Sequence, residues 1–181
     1  MPELPEVETI ARALREGGRN APTICGREIS GVEVYWLRTL AIPGVDEFKQ
    51  RLMGQTVKDV NRRGKFLIIV LDSGKLLFHL RMSGDLRVQQ GGELQAHDRL
   101  VIDFKDGWRL AFNDPRKFGR AWLVDDPGEV MGGLGPEPFD EQLTPSSFFV
   151  LLQQKKRQLK PLLLDQTFIA GLGNIYSDEA L

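Results

Sequence analysis

Apolar residues recur along the chain with two different periods, and the places where the period changes divide it into segments. Val7, Ile10, Ala11 and Leu14 stand at i, i+3, i+4 and i+7 behind Pro5, with Glu6 and Glu8 in the first turn and Gly17-Gly18 as the stop. That spacing predicts an amphipathic helix whose early proline and acids suit a helix N-terminus. Residues 28–36 (EISGVEVYW) read as a strand, and 45–53 (VDEFKQRLM) as a short helix closed by Gly54. Strand signals then dominate. FLIIVL (66–71) and KLLFHLRM (75–82) flank Asp72-Ser73-Gly74, RLVIDF (99–104) and WRLAF (108–112) flank Asp106-Gly107, and GRAWLV (119–124) adds one more. Short strands separated by Gly-bearing turns predict a sandwich or barrel. Further on the pattern turns helical, with Thr144 as an N-cap, Phe148, Leu151 and Leu152 as an apolar stripe, and Pro161 as an interruption. A last helix is expected to begin near Asn174 and to run on to Leu181.

Composition narrows the class. At 181 residues, 41% hydrophobic, 27% charged and a net charge of −1, the chain is too apolar and too neutral for a disordered tail. No window approaches the roughly 18–20 consecutive apolar residues of a membrane span. The length predicts one domain or a little more. Cys25 is the sole cysteine, so no intramolecular disulfide or cysteine-based zinc site can form within the sequence. The start lacks the pattern of a secretory leader, and an intracellular, cytoplasmic protein is expected.

Near-neutrality conceals segregation. Residues 51–65 carry Arg51, Lys58, Arg62, Arg63 and Lys65 against Asp59 alone, and 153–160 carry Lys155, Lys156, Arg157 and Lys160 with no acid. The stretch 123–141 holds six acids, no base, and much Gly and Pro, which marks it as a linker whose charge offsets the basic patches only on paper. Two basic clusters together raise nucleic-acid binding as a function, although either one alone reads better as a solvated face.

Individual residues add chemistry. A small residue after the initiator Met generally permits its removal, which would give Pro2 a free secondary amine. Such an amine forms a cationic iminium with an aldehyde carbon without an added proton, a ready electron sink for elimination next door. Glu3 follows directly and could move protons on the same substrate. Lys65 stands immediately before the strand at 66, where a long ammonium could reach a phosphate or leaving group. Met82 ends a strand at a turn and could wedge between bases. Asp114-Pro115-Arg116-Lys117-Phe118-Gly119 interleaves cations with an aromatic, suited to a base edge and a stacking face. Gly171-Leu172-Gly173-Asn174 could aim backbone N–H groups at a phosphate, yet Tyr176 replaces the third glycine of a dinucleotide fingerprint. His79 and His97 lack metal-ligand spacing.

MPELPEVET, RRGKFLIIVL, HLRMSGDLRV, NDPRKFGRAW, LGPEP and GLGNIYSDEAL occur in the order and approximate spacing of bacterial formamidopyrimidine-DNA glycosylases, and the chain resembles that family along essentially its whole length. The wording LPEVET and HLRMSG is closer to this oxidised-purine branch than to the related endonuclease VIII branch. The resemblance implies an α+β fold, an N-terminal helix packed on a β-sandwich over residues 1–124, a linker over 125–143 and an incomplete helix-two-turn-helix segment over 144–181. It implies base excision of oxidised purines from double-stranded DNA by a monomer, followed by abasic-site cleavage. Pro2 would form the Schiff base, Glu3 would act as acid and base, and Lys65 would assist β-elimination. Met82, Arg116 and Phe118 would fill the gap left by the flipped lesion, as wedge, partner of the orphaned cytosine and stacking ring. His97, Lys156 and Asn174 would contact backbone phosphates, with Lys160 on the DNA and lesion side. The family's zinc finger would lie beyond Leu181, so no cofactor is expected within this sequence. The alternatives are a catalytically silent DNA-binding remnant and an unstable fragment.

Overall fold

The computed structural model describes residues 1–181. Helix α1 (Leu4–Glu16) turns Leu4, Val7, Ile10, Ala11 and Leu14 inward, as the i, i+3, i+4 spacing requires. It ends where Gly17 adopts a φ of 88°, and Thr23 then satisfies the free carbonyls of its last turn, its Oγ1 donating to Leu14 O (3.1 Å) and Arg15 O (2.6 Å). Strand β1 (Ile29–Val34), β2 (Leu40–Ile42) and helix α2 (Val45–Leu52) follow, then β3 (Asp59–Arg63), β4 (Phe66–Val70), β5 (Lys75–His79), β6 (Asp85–Gln90), β7 (Asp98–Phe104), β8 (Trp108–Asn113) and β9 (Arg120–Val124). A short helix α3 (Gly128–Met131) leads to α4 (Pro145–Gln153), α5 (Leu159–Leu164) and α6 (Asn174–Glu179).

The strands form two sheets, ordered β1-β7-β8-β6 and β2-β9-β5-β4-β3. They face each other as a sandwich, with Phe78 of one sheet meeting Phe112 of the other at a ring-centroid distance of 5.3 Å. One core of 26 buried residues runs continuously through both sheets, α1 and α2. Helix α1 closes the sandwich over β3 and β4, and α3 covers the outer face of the five-stranded sheet by setting Val130 and Met131 against Ile68, Leu77 and Val124. A second, separate core of Leu162, Leu163, Phe168 and Ile169 belongs to the C-terminal helices. No helix is long and apolar enough to cross a membrane.

The structure departs from the sequence reading at several points. Strand β3 (DVNRR) buries only Val60 and β6 (DLRVQQ) only Leu86, so neither carries the alternation that marks a strand. The segment KLLFHLRM stops pairing at His79, because Arg81 takes a φ of 57°. Thr144 does cap α4, accepting from Ser147 N at 3.2 Å. Pro161 does not interrupt a helix: the break lies at 154–158, and Pro161 sits in the first turn of α5, where no N–H is needed. Helix α6 ends at Glu179 rather than continuing to Leu181. The acids of 123–141 do not offset the basic patch merely on paper: Asp125 pairs with Arg51 at 2.7 Å, and Glu137 pairs with Arg62 and Arg63.

Candidate active site

The chain's first residues are held by its last helix. Glu3 is 2% exposed, and its carboxylate accepts from Gly173 N (2.5 Å), Ile175 N (2.9 Å) and Tyr176 N (3.3 Å). These are the orphan donors at the start of α6, so the glycine-bearing loop does not offer them to a phosphate as the sequence suggested: a side chain 170 residues away already fills that anion site. Leu4 N donates to Gly171 O (3.0 Å), and Glu3 N to Glu6 Oε2 (2.9 Å). Gly173 lies in an extended conformation that alanine would accept, yet an added Cβ would collide with the Glu3 carboxyl group, and one on Gly171 would strike Leu4. Pro2, immediately before this clamp, is half-buried, and Met1 projects outward at 49% exposure.

Lys65 comes to the same place from the sandwich. The turn Arg62-Arg63-Gly64-Lys65 joins β3 to β4, with Gly64 at a φ of 56° against Ala170 and Leu134. Glu137 locks this turn. It accepts from both Arg62 Nη atoms (2.7 and 3.1 Å) and from Gly64 N, while Arg62 Nε reaches Glu8 (2.8 Å) and Arg63 Nη2 reaches Gly135 O (2.6 Å). Burial raises the Glu137 carboxyl, but the Arg62 hydrogen bonds, the Gly64 N–H and the two arginine charges outweigh it and leave the group below its ordinary range. Arg62 and Arg63 are therefore spent on structure. Lys65 is 5% exposed. Burial lowers its ammonium pKa, and the Glu3 carboxylate opposes that shift, which places the two charges within each other's field.

The residues read as gap fillers occupy two adjoining loops. Met82 is 47% exposed and Phe118 51%, large apolar side chains left in solvent by otherwise well-packed turns. The Arg116 guanidinium lies 5.1 Å from the Phe118 ring centroid. Asp114, 1% exposed, joins the loops: it accepts from Ser83 Oγ (2.5 Å), Arg116 N (3.2 Å) and Gly119 N (2.7 Å). At the end of β5, three residues before Met82, His79 Nδ1 accepts from Arg81 N (3.1 Å) while its ring meets Phe66 edge-on. Burial, with the charges of Arg81 and Lys65, pushes the His79 pKa down to about 3, so the ring is a neutral acceptor.

Of the remaining predicted residues, His97 and Asn174 border this cluster, whereas Lys156 and Lys160 lie in the helical module. His97 is exposed at a φ of 77°, with Arg99 Nη2 at 3.3 Å from its Nδ1, and its carbonyl accepts from Asp114 N. Lys156 and Asn174 are exposed and carry no ion pair. Lys160 pairs with Asp178 at 2.5 Å, bridging α5 to α6. Sequence reasoning gave no role to Asp114 or Glu137. The first carries a local signal, an Asp before Pro in a turn, whereas the second touches residues 75 positions away and carries none. The largest cavity, about 680 Å³, runs along the outer face of α1 beneath Phe139 and excludes both Lys65 and the wedge. No group of three or more His, Cys, Asp or Glu side chains converges to hold a metal.

Fold and site together define a protein of two modules, a β-sandwich and a helix-two-turn-helix unit, with the chain's N-terminus clamped at their junction. Comparison with known proteins agrees. The formamidopyrimidine-DNA glycosylase N-terminal domain matches residues 1–121, and that family's H2TH domain matches 134–181. The chain belongs to the formamidopyrimidine-DNA glycosylase family. All of it aligns with the formamidopyrimidine-DNA glycosylases of Protochlamydia amoebophila (43% identity, covering 64% of that protein) and Lactiplantibacillus plantarum (43%, covering 66%). Among solved structures, a Lactococcus lactis homologue in complex with abasic-site DNA superimposes with a TM-score of 0.88 at 37% identity, over 99% of this chain and 65% of that one. The chain thus spans 64–66% of the length of these relatives.

Proposed function

We propose that this chain is a base-excision repair enzyme that removes oxidised purines, 8-oxoguanine and formamidopyrimidines, from double-stranded DNA and then cleaves the abasic strand. The supporting observation is the convergence of Pro2 and Glu3, at the start of the chain, with Lys65 of the β3–β4 turn, beside two exposed loops bearing Met82, Arg116 and Phe118. With Met1 removed, the Pro2 nitrogen bonds to C1′ of the damaged nucleotide as the glycosidic bond breaks. Glu3 moves a proton on the sugar, and ring opening leaves an iminium. Loss of a 2′ proton then expels the 3′ phosphate. Lys65 assists this elimination from a buried position, where desolvation lowers its ammonium pKa against the opposing Glu3 carboxylate. Met82 wedges into the stack, Arg116 meets the orphaned base and Phe118 stacks beside it. His97, Lys156, Lys160 and Asn174 hold backbone phosphates, which position the duplex without reading it. The chemistry draws on the chain's own amine, carboxylate and ammonium, and the protein acts as a monomer in the cytoplasm.

Borohydride trapping tests the proposal. Incubated with abasic-site duplex, the Met1-processed chain should yield a covalent adduct that maps to Pro2 and disappears in Pro2→Gly. Salt-sensitive duplex binding without any adduct would instead identify a DNA-binding protein that does not turn over.

A further inference from the structure

A cleft of about 370 Å³ opens beside the wedge, lined by Trp36, Arg38, Arg116, Lys117, Phe118 and Arg120. Four of its six residues are cationic and none is acidic. None of the four takes part in an ion pair, whereas most other arginines of the sandwich are matched to carboxylates. Lys117 Nζ lies 4.2 Å from the Trp36 ring centroid, Arg120 Nη1 donates to the Arg38 carbonyl (2.5 Å), and the Arg38 side chain is exposed with no hydrogen bond or ion pair of its own. The Trp36 indole N–H, buried behind the lining, also lacks an acceptor and adds its dipole rather than an accessible donor. The cleft therefore offers donors and positive charge alone, which suits an anion carried on a polymer with stacking faces.

Sheet register says which polymer strand reaches it. Phe66, His79 and Arg120 stand side by side on β4, β5 and β9, and Leu40 of β2 lies beside Ala121. Lys65, Met82, Phe118 and Arg38 thus leave one end of the five-stranded sheet in that lateral order. Lys65 and Arg38 are three strand spacings apart, about 14 Å. Arg116 and Phe118 themselves line the cleft, so a base facing Arg116 brings its own backbone toward the remaining cations.

We propose that the Trp36, Arg38, Lys117 and Arg120 cleft holds phosphodiester groups of the undamaged strand, across the wedge from the strand that Pro2 and Lys65 engage. This rests on the function proposed above. Arg38→Ala is the probe, since that side chain supports nothing in the fold and the variant should melt with the parent. With a duplex carrying a tetrahydrofuran abasic analogue, the variant should bind three- to tenfold more weakly near 0.1 M salt. The slope of log K against log salt should fall by about one. Trapping on a single-stranded abasic oligonucleotide should stay unchanged. Neutral methylphosphonates placed singly in the undamaged strand should weaken the parent at one or two positions and leave Arg38→Ala indifferent there; Lys117→Ala should repeat the pattern. Unchanged duplex affinity and slope, equal methylphosphonate sensitivity in parent and variant, or an equal loss on the single strand would each overturn the assignment. A parent that traps no adduct would refute the repair chemistry instead, while the salt slope on duplex still judges the cleft.

Discussion

The sandwich and the helical module solve the problem of stability differently. The sandwich buries a continuous core of 26 residues, enough apolar surface for β-strands and two helices to hold one another. The module C-terminal to it has four buried core residues, three short helices and exposed apolar side chains such as Phe149 and Val150. A core that small supplies little of the free energy needed to order the segment. Its order comes from polar attachments to the other unit: Glu3 on the start of α6, Leu4 N on Gly171 O, and Glu137 on the β3–β4 turn. Glu3, proposed for chemistry, is thus also a fastener of the weaker module.

Glu3→Ala attacks the comparison most severely. Three backbone N–H groups would lose a charged acceptor, and the helical module should be destabilised by about 3 kcal/mol while the sandwich core stays intact. Proteolysis within 144–181 at a temperature where the sandwich is still folded would show it. Gly173→Ala approaches the same contact from the other side, and the collision with the Glu3 carboxyl should cost about 2 kcal/mol in the same assay. Glu137→Gln leaves the Arg62 guanidinium half-partnered and should cost about 1–2 kcal/mol, measured by denaturant unfolding. The stabilisation from Glu137, whose folded pKa is depressed, is present above the ordinary carboxylate range and is lost as pH falls through the folded value.

His79 acts only as the medium turns acid, and confines its effect to the sandwich. Its folded pKa of about 3 lies below the ordinary 6.5, so the unfolded chain binds the extra proton. Stability should therefore fall as pH drops from about 6.5 toward 3, and His79→Gln should flatten that slope without altering the module's protease resistance.

Much of the sandwich was legible because its elements declare themselves locally. Val7, Ile10, Ala11 and Leu14 give α1 by spacing, and FLIIVL and RLVIDF give strands by β-branched content. Strands β3 and β6 were not, because neighbours within the sheet supply their pairing while their own side chains are mostly polar. Pro2, Glu3, Lys65, Met82, Arg116 and Phe118 were singled out through residue chemistry and family wording. What joins them was hidden: Glu3 with α6 and Glu137 with Arg62 are contacts between segments 170 and 75 residues apart, and no local period encodes them. The basic patch at 51–65 misled for the same reason, since the acids that neutralise it lie far along the chain.

Amide hydrogen exchange at Gly173, Ile175 and Tyr176, compared between the parent and Glu3→Gln, tests the clamp most directly. If the N-terminal carboxylate holds the second module, all three amides should exchange at least tenfold faster in the variant, while the amides of β4, β5 and β8 keep their protection. Unchanged exchange at those three positions would contradict the account.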